Sequence, residues 1–157
     1  MDASSPIPSV VSLFIGPQEQ GPVREVDEVE AVAGAGLVGD RYFKGVYPVD
    51  RWEPKVEITL FSSEKLAEAR QSTGIDITPE DMRRNVYTQG VDLDSLIGRR
   101  FTVGEVTLEG IKANPPCRHL QEMAGKKLLV KPLMTGGGIR ARIIVSGTIR
   151  AGDPIKG

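Results

Sequence analysis

Apolar positions along this chain come in short runs rather than long helical stripes, and glycine or proline closes most of them. Val10-Val11-Ser12-Leu13-Phe14-Ile15 predicts a core strand that Gly16-Pro17 stops, after a small, proline-containing lead-in over residues 1–8. Val26, Val29 and Val32 stand among acidic residues at a spacing that fits helix or strand, and strand is the preferred reading for 23–32. Glycines, prolines and aromatics without periodicity predict a long loop from Gly34 to Pro54. Val56-Glu57-Ile58-Thr59-Leu60-Phe61 alternates as a strand. Ser62-Ser63 then caps a helix to about Ser72, with Leu66 and Ala69 at helical spacing. Thr78-Pro79-Glu80-Asp81 combines an N-cap oxygen, a first-position proline and carboxylates at the positive end of the helix dipole. It predicts a helical turn just before Arg83-Arg84-Asn85, followed by a strand from Asn85 to Thr88 that ends near Gly90.

A two-residue loop led by glycine suits a type II′ turn, so Gly104-Glu105 predicts a hairpin. Its register sets Val103 against Val106, Thr102 against Thr107, Phe101 against Leu108 and Arg100 against Glu109, giving an apolar face and a polar face with a matched charge pair. The returning strand runs through Ile111 to Asn114-Pro115-Pro116-Cys117. Two prolines cannot both sit in a central ladder, which places Cys117 in a stiffened loop at a strand exit. Ile139 to Val145 predicts another strand, Ser146-Gly147 turns it into Thr148-Ile149-Arg150, and Ala151-Gly152-Asp153-Pro154 makes a final turn. Short strands with a few inserted helices and no regular βαβ alternation predict a mainly β fold, a mostly antiparallel barrel, in one domain over 1–157.

Composition narrows the function classes. Twenty basic against twenty-one acidic residues leave a net charge of −1, so no broad cationic field exists for nucleic acid or an anionic membrane. The apolar runs fall far short of the roughly 20 residues that span a bilayer. Met1-Asp2-Ala3-Ser4-Ser5-Pro6 lacks the basic start and apolar stretch of a secretory signal, and a single cysteine cannot form an internal disulfide. A cytoplasmic, reduced setting with a free thiol is expected.

That thiol lies beside the single histidine of the chain in Cys117-Arg118-His119. If residues 117–119 are extended, Cys117 and His119 share a face. A neighbouring arginine favours the thiolate, the form that attacks electrophiles or binds soft metals. The plainer alternative is a small buried hydrophobe. Zinc would have to recruit carboxylates from elsewhere, and a papain-like dyad brings its partners from distant parts of a fold. A metal whose other ligands come from an organic cofactor needs only one protein thiolate. Arg83, Arg84, Arg118, Arg140 and Arg142 offer cations for an anionic cofactor, and Gly136-Gly137-Gly138 a loop whose amides could approach phosphate. Each has a plain alternative as solvated face or turn. Gly39-Asp40-Arg41 could pair internally and shape its loop, and Trp52 is read as packing.

Taken in order, Gly36-Leu37-Val38-Gly39-Asp40-Arg41, Val56 to Ser62, Arg83-Arg84-Asn85-Val86, Asp92 to Phe101, Asn114 to Leu120, Ala141-Arg142 and Gly152-Asp153-Pro154 resemble a MOSC domain. That module is named for the C-terminal part of molybdenum cofactor sulfurase. The resemblance spans roughly residues 10–155 and implies a β-barrel that binds the molybdenum–pterin cofactor. It makes Cys117 the molybdenum ligand and catalytic centre, or in the sulfurase setting a carrier of sulfur. It makes Arg83 and Asn85 cofactor contacts through a family Arg-x-Asn, with Arg118 adjoining the ligand. Arg84 falls where some relatives carry proline, and Tyr42-Phe43-Lys44 where many have histidine or small residues. The chain matches the minimal domain, so pyridoxal phosphate is not expected.

The implied activity is reduction of N-hydroxylated small molecules, with electrons from a separate electron-transfer protein. A non-enzymatic carrier of cofactor or sulfur, loaded on Cys117 by a cysteine desulfurase, stands beside it. A metal-free cysteine enzyme assisted by His119 is a third reading.

Overall fold

The computed structural model describes residues 7–18, 21–43 and 57–157. Val56, Trp52 and the stretch 44–54 of the expected long loop lie outside the described residues. The strands are β1 (Ser9–Ile15), β2 (Arg24–Val26), β3 (Glu28–Val32), β4 (Gly36–Leu37), β5 (Ile58–Ser62), β6 (Val86–Gln89), β7 (Arg100–Val103), β8 (Val106–Ala113), β9 (Gly138–Val145), β10 (Gly147–Arg150) and β11 (Ile155–Lys156). The helices are α1 (Ser63–Thr73), α2 (Pro79–Met82), α3 (Arg118–Ala124) and α4 (Lys131–Met134). The expected strand over 23–32 is thus split into β2 and β3, and the glycine-rich loop begins with the short strand β4.

Eight strands form one sheet in the order β11-β7-β8-β9-β5-β6-β1-β2, and β10-β3-β4 form a second. The large sheet curls far enough for its β1 end to meet its β11 end. Val10 N donates to Asp153 O (2.9 Å), Gly152 N to Val10 O (2.8 Å) and Ile155 N to Pro8 O (2.9 Å). Curling removes exposed edges and gives the sheet an inside. Within it pack Leu13, Ile58, Leu60, Val103, Leu108 and Ala141. Outside, Phe14, Phe61, Leu66, Met82, Tyr87 and Leu128 form a second cluster under the helices. β5 is therefore buried on both faces, and it pairs in parallel with β6 through the helical crossover α1–α2 while its other neighbour, β9, is antiparallel. The fold is mostly β and mostly antiparallel, with a few short helices.

Local chemistry fixes the turns. Ser62 caps α1 by accepting from Lys65 N (3.1 Å), and Gly74 ends it at φ 74°. Thr78 and Asp81 form a reciprocal capping box at α2. The β7–β8 hairpin has the predicted register at all four pairs. Gly104 takes φ 59° while Glu105 keeps a negative φ, as a type II′ turn requires, and a Cβ at Gly104 would collide with the Asp153 carboxylate. One predicted contact is corrected. Glu109 faces Arg100 in register, but its Oε1 accepts from Arg142 Nε on β9 at 2.6 Å. Among the described residues no helix is long and apolar enough to cross a membrane.

Candidate functional site

The ladder of β8 runs one residue past its end. Asn114, 5% exposed, donates its N–H to Gly138 O on β9 (2.9 Å), after which Pro115 and Pro116 have no N–H to give. The chain leaves the sheet there and delivers Cys117 to the surface with an exposed, unbridged side chain. The buried-hydrophobe reading of Cys117 therefore fails. Cys117 is the N-cap of α3, with extended φ and ψ of −119° and 171°, and its carbonyl accepts from Gln121 N (3.0 Å). Arg118 and His119 already belong to the helix, and all three residues are exposed. The extended geometry that would set Cys117 and His119 on one face is absent, because helical residues two apart do not face each other.

Arg83 and Arg84 part company. Arg83 closes α2 in the left-handed region at φ 57°, and the reversal sends neighbouring side chains to different sides. The Arg83 guanidinium donates to Gly21 O and to Gln18 O (3.3 Å), and it borders a cleft of ≈ 320 Å³ with Glu80, Asp81 and Met123. Arg84 turns toward the exit of β8, where its Nη2 donates to Asn114 O and Pro115 O, both at 3.2 Å. Burial pushes its pKa below the ordinary arginine value. Tyr87 opposes that shift, Arg140 adds to it, and Cys117 and Tyr42 oppose it, so all four lie within electrostatic reach. Arg84 Nε is buried and has no hydrogen-bond partner. Tyr87, whose hydroxyl donates to Pro79 O (2.7 Å), is held neutral because burial pushes the phenol far up.

Arg140 reaches the same asparagine from β9, with Nε donating to Asn114 Oδ1 at 2.9 Å. Lys112 sits directly opposite Arg140 on β8, and Thr59 opposite it on β5. Arg142, two residues on, is committed to Glu109 instead. The glycine run is steric in purpose. A Cβ on Gly137 or Gly138 would come within 2.7 and 2.5 Å of the Phe61 ring, and Gly137 O and Gly138 O accept from Ser62 N and Asn114 N.

Asn85 lies deeper. Its Oδ1 accepts from Thr59 N and Thr59 Oγ1, both at 3.0 Å, while its Nδ2 donates to Phe14 O (3.2 Å) and Asp40 Oδ1 (3.5 Å). Asp40 also accepts from Gly16 N (2.8 Å) and pairs with Arg41 at 3.6 Å, the internal pairing expected for that loop. Arg41 lies over the Tyr42 ring, 4.5 Å from its centroid.

The structure thus brings Cys117 and Arg118 together at the surface, turns Arg83 away and places Asn85 inside. It adds Asn114, on which Arg84 and the expected Arg140 converge. The double proline pointed to the segment. Convergence of two arginines on Asn114 depends on sheet order and on the left-handed turn at Arg83, which no local pattern carries. Among the described residues, no three or more His, Cys, Asp or Glu side chains gather to hold a metal.

Solved structures share this architecture. The YuaD protein from Bacillus subtilis is 22% identical with a TM-score of 0.75, over 95% of this chain and 94% of that one. YiiM from Geobacillus stearothermophilus is 17% identical with a TM-score of 0.68, over 95% and 74%, and YiiM from Escherichia coli 18% with 0.67, over 96% and 69%. Comparison with curated proteins returns no match. The sequence model of the MOSC domain matches residues 51–156, from before β5 to β11 and including the Cys117 segment, and the chain belongs to the MOSC domain family.

Proposed function

We propose that this protein binds the molybdenum–pterin cofactor in a reduced, cytoplasmic setting, with Cys117 as the one protein ligand of molybdenum. The observation that carries the reading is an exposed thiol at the exit of β8, backed by guanidinium groups from β9 and from the α2–β6 turn that converge on Asn114. The donor set fits the group: one soft sulfur for a metal whose remaining ligands come from the cofactor, and cations for an anionic ligand. When bound, the cofactor would supply two-electron, oxygen-removing chemistry suited to N-hydroxylated small molecules, fed by a separate electron-transfer protein.

The chain's own residues do the positioning. The prolines and the Asn114 bond fix where Cys117 stands, and Arg118 adds a cation beside it. Arg84 supplies, beside the thiol, a cofactor contact of the kind that the resemblance gives to Arg83. Arg83 and Asn85 act from beneath, Arg83 holding Gln18 and Gly21 and Asn85 tying together β1, β5 and β6 through their hydrogen bonds. The open approach to the sulfur also favours a second reading, in which a cysteine desulfurase loads Cys117 with a persulfide for delivery.

The test is expression in a cofactor-making host, with molybdenum and pterin measured per chain. Wild type should retain both, and Cys117→Ser should fall to background while keeping its unfolding midpoint. Equal metal in both overturns the ligand assignment. Persulfide on Cys117 without turnover of hydroxylamines would decide for the carrier.

A further inference from the structure

We infer that the excursion between β8 and β9, residues 115–137, is the docking surface for the acidic face of a small electron-transfer protein, with Arg118, Lys127, Leu129 and Lys131 as its contacts. The assignment rests on the cofactor-binding reading and gives the separate electron donor of that reading a place to land. The excursion is closed at its base, where Asn114 N donates to Gly138 O (2.9 Å), so it begins and ends at the strand exit that presents Cys117. Its charge is lopsided. Four cations, Arg118, Lys126, Lys127 and Lys131, stand against one carboxylate, Glu122, a net +3 in a chain whose total is −1, so the other residues carry −4.

Pairing inside the molecule consumes only one of these cations. Lys126 Nζ donates to Asp81 Oδ2 (2.8 Å) and Asp76 O (2.7 Å). Arg118, Lys127 and Lys131 are exposed and make no hydrogen bond or ion pair among the described residues. The backbone beneath them is fixed. Gln121 Oε1 accepts from Leu128 N (2.9 Å) and Leu129 N (3.1 Å), and Leu128 and Leu133 are fully buried in the cluster under the helices. Leu129 at 37% and Met134 at 42% are left as exposed apolar side chains among the lysines. Gln121 stands about 6 Å of helix rise from Cys117, whose carbonyl accepts its N–H, so the same residue ties this ridge to the thiol segment. An electron donor must approach the metal ligand, and the surface bordering that ligand is cationic, so the donor that fits presents carboxylates. Charge then speeds the approach and selects the sign of the partner, while a small apolar contact fixes orientation. No aromatic side chain lies in the excursion to stack a nucleic-acid base.

Two acidic probes, oxidised flavodoxin and a plant-type ferredoxin, test the surface on protein purified from the cofactor-making host, with basic cytochrome c as the opposite sign. At least one acidic probe should bind at low ionic strength and weaken steeply as salt is added. Lys127→Glu and Lys131→Glu should each slow association about tenfold, while Lys156→Glu on β11, which changes the net charge equally, should stay within about twofold. Leu129→Ala should instead speed dissociation, about fivefold. Binding by neither acidic probe, equal binding of cytochrome c, or equal losses from Lys131→Glu and Lys156→Glu overturns the proposal. A salt-sensitive dimer in sedimentation that Lys127→Glu abolishes, or Lys127-dependent binding to phosphatidylserine vesicles, gives the surface to a second copy or to a membrane and overturns it too. Cys117→Ser should bind the acidic probe as wild type does. Failure of charge-dependent binding with cysteine-dependent molybdenum retention therefore sinks this inference alone, and the reverse pattern sinks the cofactor reading alone.

Discussion

Asn85 and Asn114 are equally buried, each 5% exposed, and each stands at one end of a strand of the same sheet. Around Asn85 the polar groups bond chiefly to one another, with Arg41 Nε left buried without a hydrogen-bond partner as Arg84 Nε is in the other network. Its amide bonds Thr59, Phe14 and Asp40, and Asp40 in turn neutralises Arg41. Around Asn114 the same residue type gathers two guanidiniums and hands the chain to an exposed thiol three residues later. A balanced network inside a sheet holds strands together. The network at the strand exit instead gathers two guanidiniums near an exposed thiol, which is where the proposed cofactor contacts lie. The two asparagines thus differ not in burial but in partners: Asn85 bonds β1 and β5, and Asn114 bonds the two arginines ahead of Cys117.

The comparison breaks or holds first on stability. Asp40→Ala leaves Arg41 buried without its carboxylate and removes acceptors from Gly16 N and Asn85 Nδ2. Uncompensated buried charge costs about 3–5 kcal/mol, to be read from denaturant unfolding at neutral pH. A loss under about 1 kcal/mol would mean that the Asn85 network is not what holds β1 against β5 and β6. Arg84→Met is the counterpart. Because burial and Arg140 both disfavour the charge it removes, unfolding free energy should change by no more than about 1 kcal/mol in either direction. A loss as large as that of Asp40→Ala would make the second network structural like the first.

Much of the fold was legible because it is set by short-range chemistry. The Gly104-Glu105 turn, the Ser62 and Thr78 caps and the double proline each act within a few residues, and the elements they predict are present. The barrel-like curl was legible only as a class. The parallel β5–β6 pair and the return of residues 152–155 to β1 are long-range contacts that no window of sequence contains. At the site, the strand exit and the lone cysteine were readable. The start of α3 at Arg118 was not, because Cys117 makes no side-chain cap and no polar signature announces the helix. Which of Arg83 and Arg84 reaches the strand exit was hidden for a related reason: one residue with positive φ decides which side each arginine takes, and arginine gives no hint of it.

Asp81 offers the smallest effect and a control outside both networks, since α2 carries the chain toward Arg83 and Arg84 without belonging to either. Partial burial works against its charge. The bond from Lys126 Nζ (2.8 Å), together with the Thr78 N–H and hydroxyl and the Lys126 charge, outweighs that and holds its pKa below the ordinary 3.8. A carboxyl depressed on folding adds stability above its unfolded pKa and loses it as pH falls through the lower folded value. Asp81→Asn should therefore be slightly less stable than wild type at neutral pH, by at most about 1 kcal/mol for so exposed a pair, with the gap closing below pH 3.8. Denaturant midpoints of the two proteins across the acid range check the sign. A gap that widens on acidification would show that Lys126 does not hold α2 through this carboxylate, and would leave the Thr78 cap alone to position the turn from which the two arginines diverge.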